Sequence, residues 1–144
     1  MLLLAIILLS IATLGYSAIA AKFDSNETHA TNPSWDPHAR FHVVWQVSSY
    51  VYVAALAIGL IWTAGDDHWP LWIAAILATA AYGGFWTAAL SRSVYGGAVV
   101  SKINPVPAFT WNLGGRQVET DANVTLFSAF VVIPLAGIAC LALA

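Results

Sequence analysis

Asn32-Pro33-Ser34-Trp35-Asp36-Pro37-His38-Ala39-Arg40-Phe41-His42-Val43-Val44-Trp45-Gln46 holds a turn, a helix start and two histidines one helical turn apart. Asp36 before Pro37 reads as an N-cap carboxylate followed by a proline at the first helical position, where a missing N–H costs nothing. From Pro37 the apolar pattern runs to about residue 64, with no Asp, Glu, Lys or Arg after Arg40. A bilayer core needs only about 20 residues of helix, so the first two turns should stand in the membrane interface. This helix decides the class, because a span so long and so poorly charged has no place on a soluble surface.

The rest of the chain agrees. Of its 144 residues, 60% are hydrophobic and 8% charged, with mean hydropathy +0.76; soluble domains carry about 25% charged residues. Upstream, residues 2–21 form an uncharged apolar run. It is read as a span rather than a cleaved leader, because no basic residue precedes it and it exceeds the usual leader core of about 7–15 residues. Downstream, Gly65-Asp66-Asp67-His68-Trp69 is a tight connector, and Pro70 opens a third helix over about 70–91. In that helix Ala80, Gly84 and Ala88 share one face, and Thr79, Gly83 and Thr87 the next; such small-residue faces predict close helix packing. Residues 92–123 form a long, partly ordered connector with Gly96-Gly97, Asn104-Pro105-Val106-Pro107 and Gly114-Gly115. Alternation on either side of the last pair suggests a β-hairpin. Asp121 or Asn123 can cap a fourth helix over about 124–143, which Pro134 should kink. The lone Cys140, in an apolar run, reads as a buried hydrophobe and excludes an intrachain disulfide.

The expected fold is thus all-α, an antiparallel four-helix membrane bundle in a single domain, 1–144. Connectors 22–36 and 92–123 then share one side. All five basic residues (Lys22, Arg40, Arg92, Lys102, Arg116) fall there, which places both connectors in the cytoplasm and both termini outside. No basic cluster suits nucleic acid.

At about 100° per residue, His38, His42, Trp45, Ser49, Tyr52 and Leu56 form a narrow stripe with Gln46 at its edge, and Arg40 projects from the other face. Polar side chains in a membrane helix usually turn into the bundle or a cavity. The stripe therefore predicts a pocket at the cytoplasmic interface, roofed by the long connector. Three readings of His38 and His42 stay open. They act as acid and base on a bound organic ligand, with Trp45, Gln46, Ser49 and Tyr52 orienting it and Arg40 holding an anionic head group; they are hydrogen-bonded structural residues; or they ligate a metal, as histidines at i and i+4 can. A metal is not favoured: the Glu of HExxH is absent, four histidines are too few for a membrane diiron site, and completion would fall to Glu27, His29, Glu119 or Asp121. The identity of any cofactor is not given by these residues.

Asn32-Pro33-Ser34-Trp35-Asp36-Pro37-His38-Ala39-Arg40-Phe41-His42 resembles the signature N-P-x-W-x-P-H-A-[KR]-F-H of a family of small four-span membrane proteins without assigned function. The resemblance covers these eleven residues and the four-span layout. It implies that the histidine pair belongs to a family pattern and supplies no chemistry. Three functions follow in order of expectation: an interfacial pocket for an apolar or amphiphilic small molecule, with enzymatic use of His38 and His42; a structural or accessory subunit that packs as a homo-oligomer or in a larger complex; and a transporter or channel, disfavoured because no acid lies within a span.

Overall fold

The computed structural model describes residues 1–102, 105 and 108–144. Four helices run through them: α1 (Leu2–Asp24), α2 (Pro37–Thr63), α3 (Trp69–Tyr95) and α4 (Ala122–Ala142), each long and apolar enough to cross a membrane. A two-stranded hairpin, β1 (Phe109–Leu113) and β2 (Arg116–Thr120), precedes α4. Contacts run around the bundle from α1 to α4, α4 to α3, α3 to α2 and α2 back to α1, with α1 also touching α3.

The helix ends follow local chemistry. Asp36 Oδ1 accepts the His38 N–H at 2.8 Å with Pro37 at the first helical position, as the sequence predicts. Asp121, not Asn123, caps α4: its Oδ1 accepts the Val124 N–H at 2.9 Å, so the helix starts at Ala122. The third helix runs past Ser91 to Tyr95, where Gly96 takes φ +70 and Gly97 N–H bonds the Arg92 carbonyl at 2.8 Å. That left-handed glycine ends a helix by satisfying its last carbonyls. α4 stays one helix through the buried Pro134.

α1 departs from a plain helix. Gly15–Ile19 winds as a π-turn, flanked by Leu2–Leu14 and Ala20–Asp24. A π-turn absorbs one extra residue, which hydropathy alone does not reveal. Gly15 lies where Tyr82 and Phe130 press on α1, and the Tyr82 hydroxyl donates to the Ala12 carbonyl at 2.9 Å.

Packing occurs in two layers. Near the termini Ala5, Leu9, Ala57, Ile61, Leu71, Ala74, Ala75, Cys140 and Leu141 are buried together. Deeper in the chain's path Ala12, Tyr16, Ala54, Ala78 and Tyr82 form a second cluster with Tyr50, Phe127 and Phe130 against it. Alanines dominate because membrane helices gain from close approach rather than from burying oily bulk. The small-residue faces of α3 do not supply that approach. Ala80, Gly83, Gly84, Thr87 and Ala88 are exposed, and the buried face is instead Leu71, Ala74, Ala75, Ala78, Tyr82 and Ala89. Spacing identified small residues on both faces, and large neighbours decided which one turned inward.

The expected hairpin forms, with Leu113 opposite Arg116 and Phe109 opposite Thr120. Gly114 and Gly115 have φ +58 and +83, the left-handed pair that a two-residue turn of this kind demands. Phe109, Trp111, Leu113 and Val118 share one exposed face. Of the Asn104-Pro105-Val106-Pro107 turn, only Pro105 lies within the described residues.

Candidate functional site

The stripe of α2 does not turn into the bundle. The face that packs inward is Val47, Ala54, Ala57 and Ile61. Trp45 is 60% exposed, Tyr52 75% and Leu56 61%, and His38, His42 and Gln46 are exposed too. Two alanines let α2 approach α1 and α3, whereas Trp45 and Tyr52 on that face would hold the helices apart. Near the helix start the polar face turns outward, where imidazole and indole keep access to solvent. Ser49 Oγ returns to the Trp45 carbonyl at 2.9 Å and the Gln46 amide donates to the Tyr50 hydroxyl at 3.0 Å. Arg40, set on the Val47 face, is half-buried and makes no ion pair among the described residues.

The two histidines do meet. Their Nε2 atoms are 3.0 Å apart, with the rings nearly perpendicular at 81° and 4.5 Å between centroids. Phe41 lies parallel to the His38 ring at 6.3 Å and edge-on to His42 at 5.9 Å. Trp45 tilts over His42 at 5.8 Å. No carboxylate, cysteine or third histidine among the described residues completes a metal-binding group with them. Of the candidate completing residues, His29 is occupied in its own loop, with Nδ1 2.8 Å from the Thr28 hydroxyl and 3.7 Å from Asp24.

The first half of the eleven-residue stretch is architecture. Asn32 is 2% exposed. Its amide donates to the Thr28 carbonyl at 3.1 Å, and its Oδ1 accepts the Ser34 N–H at 2.9 Å. Its backbone carbonyl takes the Trp35 N–H at 3.2 Å. Trp35 packs edge-on against His29 at 5.3 Å. These contacts fold residues 25–36 into a compact turn that delivers the chain to Asp36.

A cleft of about 190 Å³ opens elsewhere on the connector side. Phe85, Ala88, Ala89, Arg92, Tyr95 and Asn123 line it, between the end of α3 and the start of α4. Phe85 stacks face to face on Phe127 at 3.8 Å and forms its apolar floor. Arg92 donates to the Ala89 carbonyl at 2.5 Å but makes no ion pair among the described residues. The Tyr95 hydroxyl bonds the Ala88 carbonyl at 2.9 Å, and the Asn123 amide reaches the Val99 carbonyl at 3.5 Å. Sequence reading missed this group. One signal was present: Arg92 falls one turn before Gly96-Gly97, so a helix running to that glycine pair puts a cation on its last turn, beside the first turn of α4.

Between the helices Tyr16 stands edge-on to both Tyr50, at 6.1 Å, and Tyr82, at 6.2 Å. These tyrosines also escaped sequence reading, because they sit in three different helices with no shared motif. No family model, curated protein or solved structure matches the chain.

Proposed function

We propose that this chain is a multi-pass membrane protein, with both long connectors in the cytoplasm and both termini outside, that holds an anionic amphiphile by its head group in the cleft beside Arg92. One observation carries the reading: a guanidinium with no carboxylate partner among the described residues lines an apolar, aromatic-floored cleft one turn from a helix end. A small-molecule pocket usually encloses about 300–1,000 Å³. The 190 Å³ here suits a head group, with the tail left in the lipid. Guanidinium favours phosphate or carboxylate because it offers paired donors. The amphiphile expected from the sequence is thereby moved from α2, none of whose residues line the cleft, to the junction of α3 and α4.

Native mass spectrometry of the protein released from its membrane tests this. The wild type should retain an anionic lipid or fatty acid through mild activation, and Arg92→Gln should lose it while Arg40→Gln keeps it. Equal retention by Arg92→Gln and the wild type sinks the reading. Reloading with inorganic phosphate against an anionic phospholipid separates a head-group site from one that needs the tail.

A second reading, an accessory subunit packed against another chain, is favoured by the open face of α3. A Cβ added at Gly83 or Gly84 would meet nothing within 4 Å. An apolar groove of about 370 Å³, lined by Trp72, Ile76, Thr79, Ala80 and Ile138, adjoins it. The same spectra decide this reading. An oligomer that Gly84→Leu reduces to single chains supports it, and a wild type of one chain with no bound protein speaks against it.

A further inference from the structure

We propose that His38 and His42 chelate a divalent transition ion of tetragonal preference, copper(II) or nickel(II), through both Nε2 atoms. The site is separate from the Arg92 cleft, which neither residue lines. Two imidazoles on one helix face can point many ways, yet here both Nε2 atoms converge to 3.0 Å on an exposed surface. Metal–imidazole bonds are about 2.0–2.1 Å, and an ion bonded to both nitrogens at that length would subtend about 95° between them. That is the cis angle of a square-planar or octahedral ion. Ligand type agrees: imidazole nitrogen suits copper and nickel, and affinity rises along the series to copper.

The surroundings hold the rings for this. Phe41 lies parallel to one ring and edge-on to the other, and Trp45 tilts over His42, so aromatic rings flank both imidazoles. In the metal-free protein the same 3.0 Å fits an N–H···N hydrogen bond, one Nε2 donating to the other. Binding an ion moves that proton to Nδ1, so both rings then carry hydrogen on Nδ1, which has no other hydrogen-bond partner among the described residues. With no third donor side chain among the described residues, the remaining positions of the ion are open to water or to a substrate at the membrane interface.

Copper(II) titrated into the full-length protein in detergent, followed by electron paramagnetic resonance, tests the assignment. The expected spectrum is axial, with coupling to two imidazole nitrogens at one ion per chain. His38→Ala and His42→Ala should each reduce the coupling to one nitrogen, and the double variant should lose it, while circular dichroism shows the helices intact. His29→Gln and His68→Gln should leave it unchanged. Two-nitrogen coupling that survives in the double variant overturns the proposal, as does copper that equimolar glycine strips completely. Equilibrium dialysis against nickel(II) and zinc(II) examines the angle: nickel held at least as tightly as zinc supports the cis geometry, and zinc held more tightly overturns it.

Discussion

Gly15→Leu is expected to leave almost no folded protein, and Gly15→Ala to lower stability by about 1–3 kcal/mol, the usual cost of forcing atoms into a packed core. A Cβ at this position would press inside van der Waals contact on the Tyr82 hydroxyl and stand 2.8 Å from two Phe130 ring carbons. The Tyr82 ring cannot simply move aside. It is 1% exposed, edge-on to Tyr16, near-parallel to Phe130, and its hydroxyl is tied to the Ala12 carbonyl. Tyr82→Phe removes the first obstacle and the bond to Ala12 together. Alone it should cost about 0.5–1.5 kcal/mol, but in the Gly15→Ala background it should restore part of the loss. Thermal unfolding in detergent of the two single variants and the double reads the coupling. Additive losses, or an unchanged midpoint for Gly15→Ala, would show that the π-turn yields without strain.

The second large effect is expected at Asn32. Asn32→Leu leaves the Thr28 carbonyl and the Ser34 N–H without partners in a position only 2% exposed. Thr28 and Ser34 are themselves exposed, so each lost hydrogen bond costs about 0.5–1.5 kcal/mol, and the damage should stay local, because α2 keeps its own cap at Asp36. Hydrogen exchange should show residues 25–36 deprotected while the amides of α2 beyond its first turn keep wild-type protection. Asn32→Asp retains the acceptor for Ser34 and should lose roughly half as much. Protection unchanged in the leucine variant would falsify the role given to this side chain.

Helix number, cap and hairpin were legible because each depends on a short pattern with one physical meaning. Asp36-Pro37 can hardly be anything but a helix start, and Gly114-Gly115 between alternating strands requires the left-handed pair that is seen. What could not be read was which face of each helix turns inward. In water, polarity answers that question; between membrane helices, closeness of approach answers it. On α2 the polar stripe went out and Ala54 and Ala57 went in, and on α3 the glycines went out and Tyr82 went in. The spacing of His38 and His42 put them on one face, but the convergence of their Nε2 atoms to 3.0 Å had to be seen. The Arg92 cleft needs α3 and α4 side by side, and no pattern within either helix announces that.

The π-turn in α1 also determines where the chain goes next. Counted at 100° per residue, Asp24 would stand about 100° around the axis from Ala5, which is fully buried. One supernumerary residue takes back about that much rotation, and the last turn of α1, Ala20–Asp24, comes round to touch α2. Asp24 then reaches His29, and the Ala30 N–H bonds the Asp24 carbonyl at 3.0 Å. The insertion thus works as an aiming device, and removing a single residue from 15–19 would shorten the molecule by almost nothing while swinging its exit a quarter turn away from the loop that carries Asn32 and the histidines.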